Sequence, residues 1–130
     1  MSANDVPTEG ETLVRERTFT TAEVEAFAAL SGDEQPIHTT PDDDGRLVVH
    51  GLLTATLPTE IGGELEVLAR SMEFEFLAPV YTGETIRCEV TTTAVDPRED
   101  RYDIVTDIVC RRVTDGSVVL RGGFDGLIWK

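Results

Sequence analysis

"LVVHGLLTATLPTEIGG", residues 47–63, decides the fold. Val49, Leu52, Leu53, Leu57 and Ile61 recur at helical spacing, and Val48 and Ala55 fill much of the remaining surface. A helix that is apolar on most sides has to be surrounded by the rest of the chain. Pro58 falls inside it, where a proline removes a backbone hydrogen bond and ends or bends the helix.

What surrounds the helix is written downstream, where the pattern changes from a period of 3.6 to a period of 2. Met72, Phe74 and Phe76 alternate with Glu73 and Glu75; Ile86, Cys88, Val90 and Thr92 alternate with Arg87, Glu89 and Thr91. Ile104, Thr106, Ile108 and Cys110 oppose Asp103, Asp107 and Arg111. "VTDGSV" (113–118) carries an Asp-Gly hairpin signal. "SVVLRGGFDGLIW" returns as a last strand, with Gly122-Gly123 expected to form a bulge or sharp bend. These are half-buried strands joined by hairpins, hence an antiparallel sheet.

Upstream, "TLVRERTF" (12–19) reads as a short first strand. Thr20 and Glu23 have the spacing of a capping box, Val24, Phe27 and Ala28 follow as one apolar face, and Gly32 ends the helix. One apolar helix and a long antiparallel sheet are reconciled when the sheet curls around the helix. The expectation is therefore α+β, a single hotdog domain over residues 12–130, preceded by a flexible N-terminus at residues 1–11.

At 130 residues and 40% hydrophobic content, the chain suits one domain with one core. It carries 25 acidic residues against 11 basic ones, a net charge of −14, and Lys130 is its one lysine. The acids are scattered among Val, Ile and Phe rather than gathered in a tail. Such a surface repels itself, and molar salt removes that penalty. The composition predicts a halophilic protein; an ordinary acidic domain is the plainer alternative. The same field argues against nucleic acid as a partner. No apolar run is long enough to span a membrane. "MSANDVPTEGE" lacks the basic and apolar blocks of a signal peptide, which points to the cytoplasm. Cys88 and Cys110 show no ligand spacing and read as small buried hydrophobes. No metal site and no cofactor site is expected.

The candidate chemistry lies in "LSGDEQPIH" (30–38). Asp33 follows the helix end, and His38 lies five residues on. Pro36 fixes its own φ and pushes Gln35 into an extended form, so the loop is stiff enough to hold two side chains at a set separation. A helix C-terminus is unfavourable for a negative charge, which predicts a raised Asp33 pKa. Each residue alone has an ordinary reading, as a turn aspartate and as a satisfied polar group. His50 and Gly51 then open the buried helix. The N–H groups of a first helical turn lack intrahelical partners, and glycine lets a ligand oxygen approach. Close packing of helix on sheet would equally call for Gly51.

"FAALSGDEQPIH" followed by "VVHGLL" resembles the signature of MaoC-like, R-specific enoyl-CoA hydratases, and "SMEFEFLAPVYTGETIRCEV" extends the likeness into the sheet. The resemblance implies that Asp33 and His38 hold and activate a water and that the Gly51 N–H binds a thioester oxygen. His50 would belong to the same substrate-binding group. Thr59, counted from Gly51, falls where such enzymes can have a serine hydroxyl. The implied reaction is reversible syn hydration of a trans-2-enoyl-CoA to the (R)-3-hydroxyacyl-CoA, without cofactor or metal, in a homodimer or larger homo-oligomer.

Three departures stand out. Gln35 replaces the family's asparagine, the 39–49 segment is short, with Asp42–Asp44 expected as a solvated tip, and Pro58 occupies a position where the family has a plain helical residue. Two rivals remain at this stage: a hotdog thioesterase using Glu60 or Glu64, and a non-catalytic acyl-CoA-binding subunit.

Overall fold

In the computed structural model, which describes residues 6–130, five strands form one antiparallel sheet. They are β1 (Thr12–Thr18), β2 (Leu68–Phe76), β3 (Thr85–Pro97), β4 (Arg101–Arg112) and β5 (Val118–Trp129), in the order β1-β3-β4-β5-β2. The helices are α1 (Thr21–Ser31), α2 (Pro36–Thr39), α3 (Gly51–Thr54) and α4 (Thr56–Glu64). The inward rows read from the alternation are buried: Ile86, Cys88 and Val90 on β3, Ile108 and Cys110 on β4. Leu53, Leu57 and Ile61 of α3 and α4 pack into the same core as these rows. This is the hotdog fold, and each fully buried aliphatic contributes about 1.5–3 kcal/mol. No helix among the described residues is long and apolar enough to cross a membrane.

The central helix starts later than its apolar pattern predicts. Residues 47–50 are extended: the Val49 N–H donates to the Val80 carbonyl at 2.7 Å, and Val48 bridges Tyr81. Helix begins at Gly51 and is interrupted at Ala55, on the N-terminal side of Pro58. The proline explains the place. Lacking an N–H, Pro58 cannot bond the Thr54 carbonyl four residues back, so α4 restarts with Pro58 as its third residue, where no donor is needed. α4 then runs through Gly62 and Gly63 to Glu64, and a Cβ on Gly62 would sit 3.5 Å from the Phe124 ring.

Gly122 and Gly123 make no bulge. Gly122 pairs in register with Phe74 and Ile108, and Gly123 with Glu73 and Asp107. Their role is close approach: a Cβ at Gly122 would lie 1.8 Å from the Glu73 carbonyl oxygen, and one at Gly123 2.4 Å from that of Thr106. The strand curls because its neighbours close over positions that have no side chain.

Three further expectations need correction. Cys88 and Cys110 are fully buried but joined as a disulfide, directly opposite each other on β3 and β4. They lie 22 residues apart, and only the strand register brings them together. Residues 1–5 of the expected flexible N-terminus lie outside the described residues. Residues 8–11 are tied to β3, with the Gly10 N–H donating to Thr92 O at 2.8 Å and the Thr92 N–H to Glu11 O at 2.9 Å. On β2, Phe74 is partly buried, but Met72 and Phe76 remain half-exposed, so this edge of the sheet keeps an uncovered apolar row.

Candidate active site

The first wall of the site is the turn between α1 and α2. Thr20 and Glu23 form the predicted capping box, and an Arg17–Glu23 ion pair fastens that end to β1. At the other end Gly32 adopts φ 78°, its N–H donates to the Ala28 carbonyl at 3.0 Å, and Asp33 leaves the helix in a fixed direction. The Gln35 side-chain amide donates to Asp33 Oδ1 at 2.8 Å, so the longer residue braces the loop. Pro36 opens α2 and its single turn delivers His38.

Asp33 is held below the usual carboxylate range, the reverse of the expected direction. The Gln35 amide is the largest cause; it outweighs partial desolvation, and the two nearby imidazoles add to it. The helix-terminus argument loses to a hydrogen bond that favours the charged form.

His38 is buried, and its Nδ1–H donates to the Val48 carbonyl at 2.6 Å. A carbonyl only accepts, so this bond places a proton on Nδ1, and Nε2, which carries the lone pair whenever the ring is neutral, lies 3.6 Å from Asp33 Oδ2. That gap is too long for a direct hydrogen bond. His50 is also buried; its Nε2–H donates to the Asp33 main-chain carbonyl at 2.9 Å and latches the loop to the start of α3. The two imidazoles stack with centroids 3.6 Å apart and planes 16° from parallel, and the Phe27 ring meets His50 edge-on.

Ligand atoms of Asp33, His38 and His50 lie within 4.8 Å of one another, which raises the question of a metal. The stack answers it. Imidazole binds a metal along a lone pair in the ring plane at about 2.0–2.1 Å, and an ion in the plane of one stacked ring lies well out of the plane of the other. The two histidines cannot chelate one ion without unstacking.

Together these groups form one side of a cleft of about 650 Å³, lined elsewhere by apolar groups including Ile37, Val48, Leu52, Phe76 and Pro79. Among the described residues, Asp33 is the one carboxylate that lines the cleft, and no arginine or lysine does. Gly51 also lines the cleft, as the first residue of α3. Both readings of this glycine hold. A Cβ there would come 2.7 Å from the Phe76 ring, and among the described residues its N–H has no protein acceptor.

The structure brings Asp33, His38, His50 and Gly51 to this cleft and leaves Thr59 out. Thr59 is exposed, and its hydroxyl donates to Ala55 O at 2.8 Å. Thr54, three residues after Gly51, lines the cleft and has a buried hydroxyl; the sequence alone did not single it out. Glu60 and Glu64, the carboxylates a thioesterase would need, point away and ion-pair with Arg15 on β1. Asp42 is more than a solvated tip: it accepts from the Asp44 and Arg46 N–H groups at 2.9 and 2.8 Å and shapes the short loop.

The MaoC like domain family profile matches residues 4–112. The chain is 35% identical over 114 residues to the (R)-specific enoyl-CoA hydratase of Aeromonas caviae, covering 79% of this chain and 81% of that protein. It is 27% identical over 121 residues to the mitochondrial 3-hydroxyacyl-[acyl-carrier-protein] dehydratase of Arabidopsis thaliana, covering 87% and 72%. Among solved structures, the (R)-hydratase from A. caviae involved in PHA biosynthesis superposes with a TM-score of 0.80 at 28% identity, covering 93% of this chain and 96% of that one. The chain belongs to the MaoC-like domain family.

Proposed function

We propose that the protein hydrates trans-2-enoyl-CoA reversibly, by syn addition, to the (R)-3-hydroxyacyl-CoA. The observation that carries this reading is the Asp33–His38 pair, a carboxylate oxygen and an imidazole Nε2 3.6 Å apart at the wall of an apolar cleft that Gly51, with an N–H free of protein acceptors among the described residues, also lines. The hydratase named among the relatives supports the same chemistry.

In this reaction His38 Nε2 accepts one hydrogen of a water and orients it. Asp33 takes the other proton as the oxygen attacks C3. The C2=C3 π electrons move onto the thioester as an enolate, whose oxygen the Gly51 N–H stabilises; a donor of this kind is worth roughly 10²–10³ in rate. Protonated Asp33 then returns its proton to C2 from the same face, so water is added across one side of the double bond. The neutral tautomer of His38, locked by Val48, is the one this role needs. General acid/base participation contributes about 10²–10⁴.

The working unit in this reading is a homodimer. Met72 and Phe76 on the β2 edge, with Leu77 beyond it, are about half exposed, an apolar strip that a second copy would cover. Sedimentation should give twice the 14.2 kDa chain mass.

The test is hydration of crotonyl-CoA by purified protein in molar salt, following loss of the enoyl-thioester absorbance with free thiol assayed in parallel. Absorbance loss without thiol, giving the R product, is the expected result. Thiol release would indicate a thioesterase, and no change a binding subunit.

A further inference from the structure

The walls of the cleft carry two buried side-chain atoms that have no partner among the described residues, Thr54 Oγ1 and His50 Nδ1. Folded proteins satisfy nearly all such atoms, so two in one cleft call for an explanation. A third such atom, Arg112 Nε, is not of this kind: it lies 2.9 Å from Glu84 Oε2 and has its counter-charge.

Thr54 is set apart from its neighbours. Thr56 and Thr59 spend their hydroxyls on the carbonyls of Leu53 and Ala55, at 2.6 and 2.8 Å, the ordinary resort of a helical threonine. The carbonyl Thr54 would use, that of His50, already accepts the N–H groups of Leu53 and Thr54, each at 3.0 Å. With 2% of its surface exposed, Thr54 also has little bulk water to turn to. Side chains on a helix tilt towards its N-terminus, and residues three apart share a face. Thr54 therefore leans back over the turn that Gly51 opens. His50 Nδ1 does not compete for the same partner: with the ring's proton on Nε2, it is an acceptor and suits a donor, not a carbonyl oxygen.

We propose that the Thr54 hydroxyl is a second hydrogen-bond donor to the substrate's thioester oxygen, beside the Gly51 N–H. The proposal rests on the hydratase reading of the cleft. Its donor is neutral, buried and already in place, so it stabilises the enolate oxygen without reorganisation at the moment of reaction. The free protein carries the unmade bond, and the bound thioester completes it.

The test separates this role from a structural one, because the two move stability and rate differently. Thr54→Val is nearly isosteric and removes only the hydroxyl. If the hydroxyl serves the ligand, the variant keeps or gains thermal stability, since an unpartnered buried group has been removed. Its kcat for crotonyl-CoA falls at least tenfold with a smaller change in KM, and Thr54→Ser restores most of the rate. An unchanged kcat would overturn the proposal and leave the hydroxyl to a resident water. A loss of melting temperature alongside the loss of rate would also overturn it, by showing a bond within the free protein, for instance to His50 Nδ1. Should the wild-type protein prove inert towards crotonyl-CoA, the hydratase reading fails separately. Calorimetry with saturated butyryl-CoA then decides on Thr54: weaker binding by Thr54→Val supports the donor, and equal binding or none by either protein overturns it.

Discussion

The two walls of the cleft are built on opposite principles. The Asp33–His38 wall is braced from within: Gln35 holds the carboxylate, Val48 holds one side of the imidazole, and His50 holds the loop's main chain, with its own Nδ1 left unpartnered. The Gly51–Thr54 wall has no such brace, and the Gly51 N–H and the Thr54 hydroxyl are without protein partners among the described residues. In the proposed reaction, the braced groups handle the water and its protons, and the unbraced ones receive the thioester. The largest expected effect breaks the first wall. Asp33→Asn and His38→Ala should each lower hydration of crotonyl-CoA by about 10² or more, on the scale of acid/base residues, with circular dichroism unchanged. Near wild-type rates in both would show that the braced wall is mere scaffolding.

The next test works on the second wall. Gly51→Ala places a methyl 2.7 Å from the Phe76 ring, so the half-exposed ring must swing aside or the start of α3 must shift. A rate loss of roughly tenfold or more is expected, since even small displacements of a positioning group are costly. The pair Gly51→Ala/Phe76→Leu sharpens this. If ring and methyl conflict, the second change recovers part of the rate; if the methyl blocks the N–H itself, it recovers none.

The same contrast explains what could be read from the sequence. The first wall is local. Capping box, C-terminal glycine and Pro36 act on neighbours within a few residues, so Asp33 and His38 could be placed from the sequence alone. The alternating rows of β3 and β4 were legible for the same reason, as one face of each is buried. The second wall depends on long-range pairing. Val48 and Val49 fit a helical period, yet their backbone is claimed by Tyr81 and Val80, more than 30 residues away. Apolar spacing cannot distinguish a helix from an extended strap that feeds one. The Cys88–Cys110 bond and the in-register packing of Gly122-Gly123 likewise depend on which residue faces which across the sheet. Thr54 drew no notice in the sequence because a threonine in an apolar helix has a default bond, and only the geometry shows it unmade.

A smaller effect concerns pH. The Gln35 amide is the largest influence keeping Asp33 below the ordinary carboxylate range. In the proposed reaction Asp33 must be ionised to take a proton from water, so activity should be lost as pH falls through its pKa. Gln35→Leu removes the donor and favours the protonated form. The acid limb of kcat/KM should then move to higher pH, while the rate well above that limb changes less. An unmoved limb would mean that the neighbouring imidazoles, rather than the brace, hold the charge.

The smallest expected effect comes from what neither wall supplies. No arginine or lysine lines the cleft, and nine of the ten arginines are held by carboxylates elsewhere. The phosphates of coenzyme A would therefore approach a chain of net charge −14 with no arginine or lysine, among the described residues, lining the cleft to meet them. Molar potassium chloride shortens the screening length to roughly 3 Å and weakens that repulsion. The KM for crotonyl-CoA should fall several-fold from dilute buffer to molar salt, while a neutral N-acetylcysteamine thioester, which lacks the phosphates, should show little change. Helical and sheet signals should strengthen over the same range if self-repulsion of the surface limits the folded state. If both thioesters improve together, salt acts through the fold; if only the charged one does, it acts at the mouth of the cleft. If neither responds, the acidic surface is already balanced by its own ion pairs, and the salt adaptation inferred from composition is wrong.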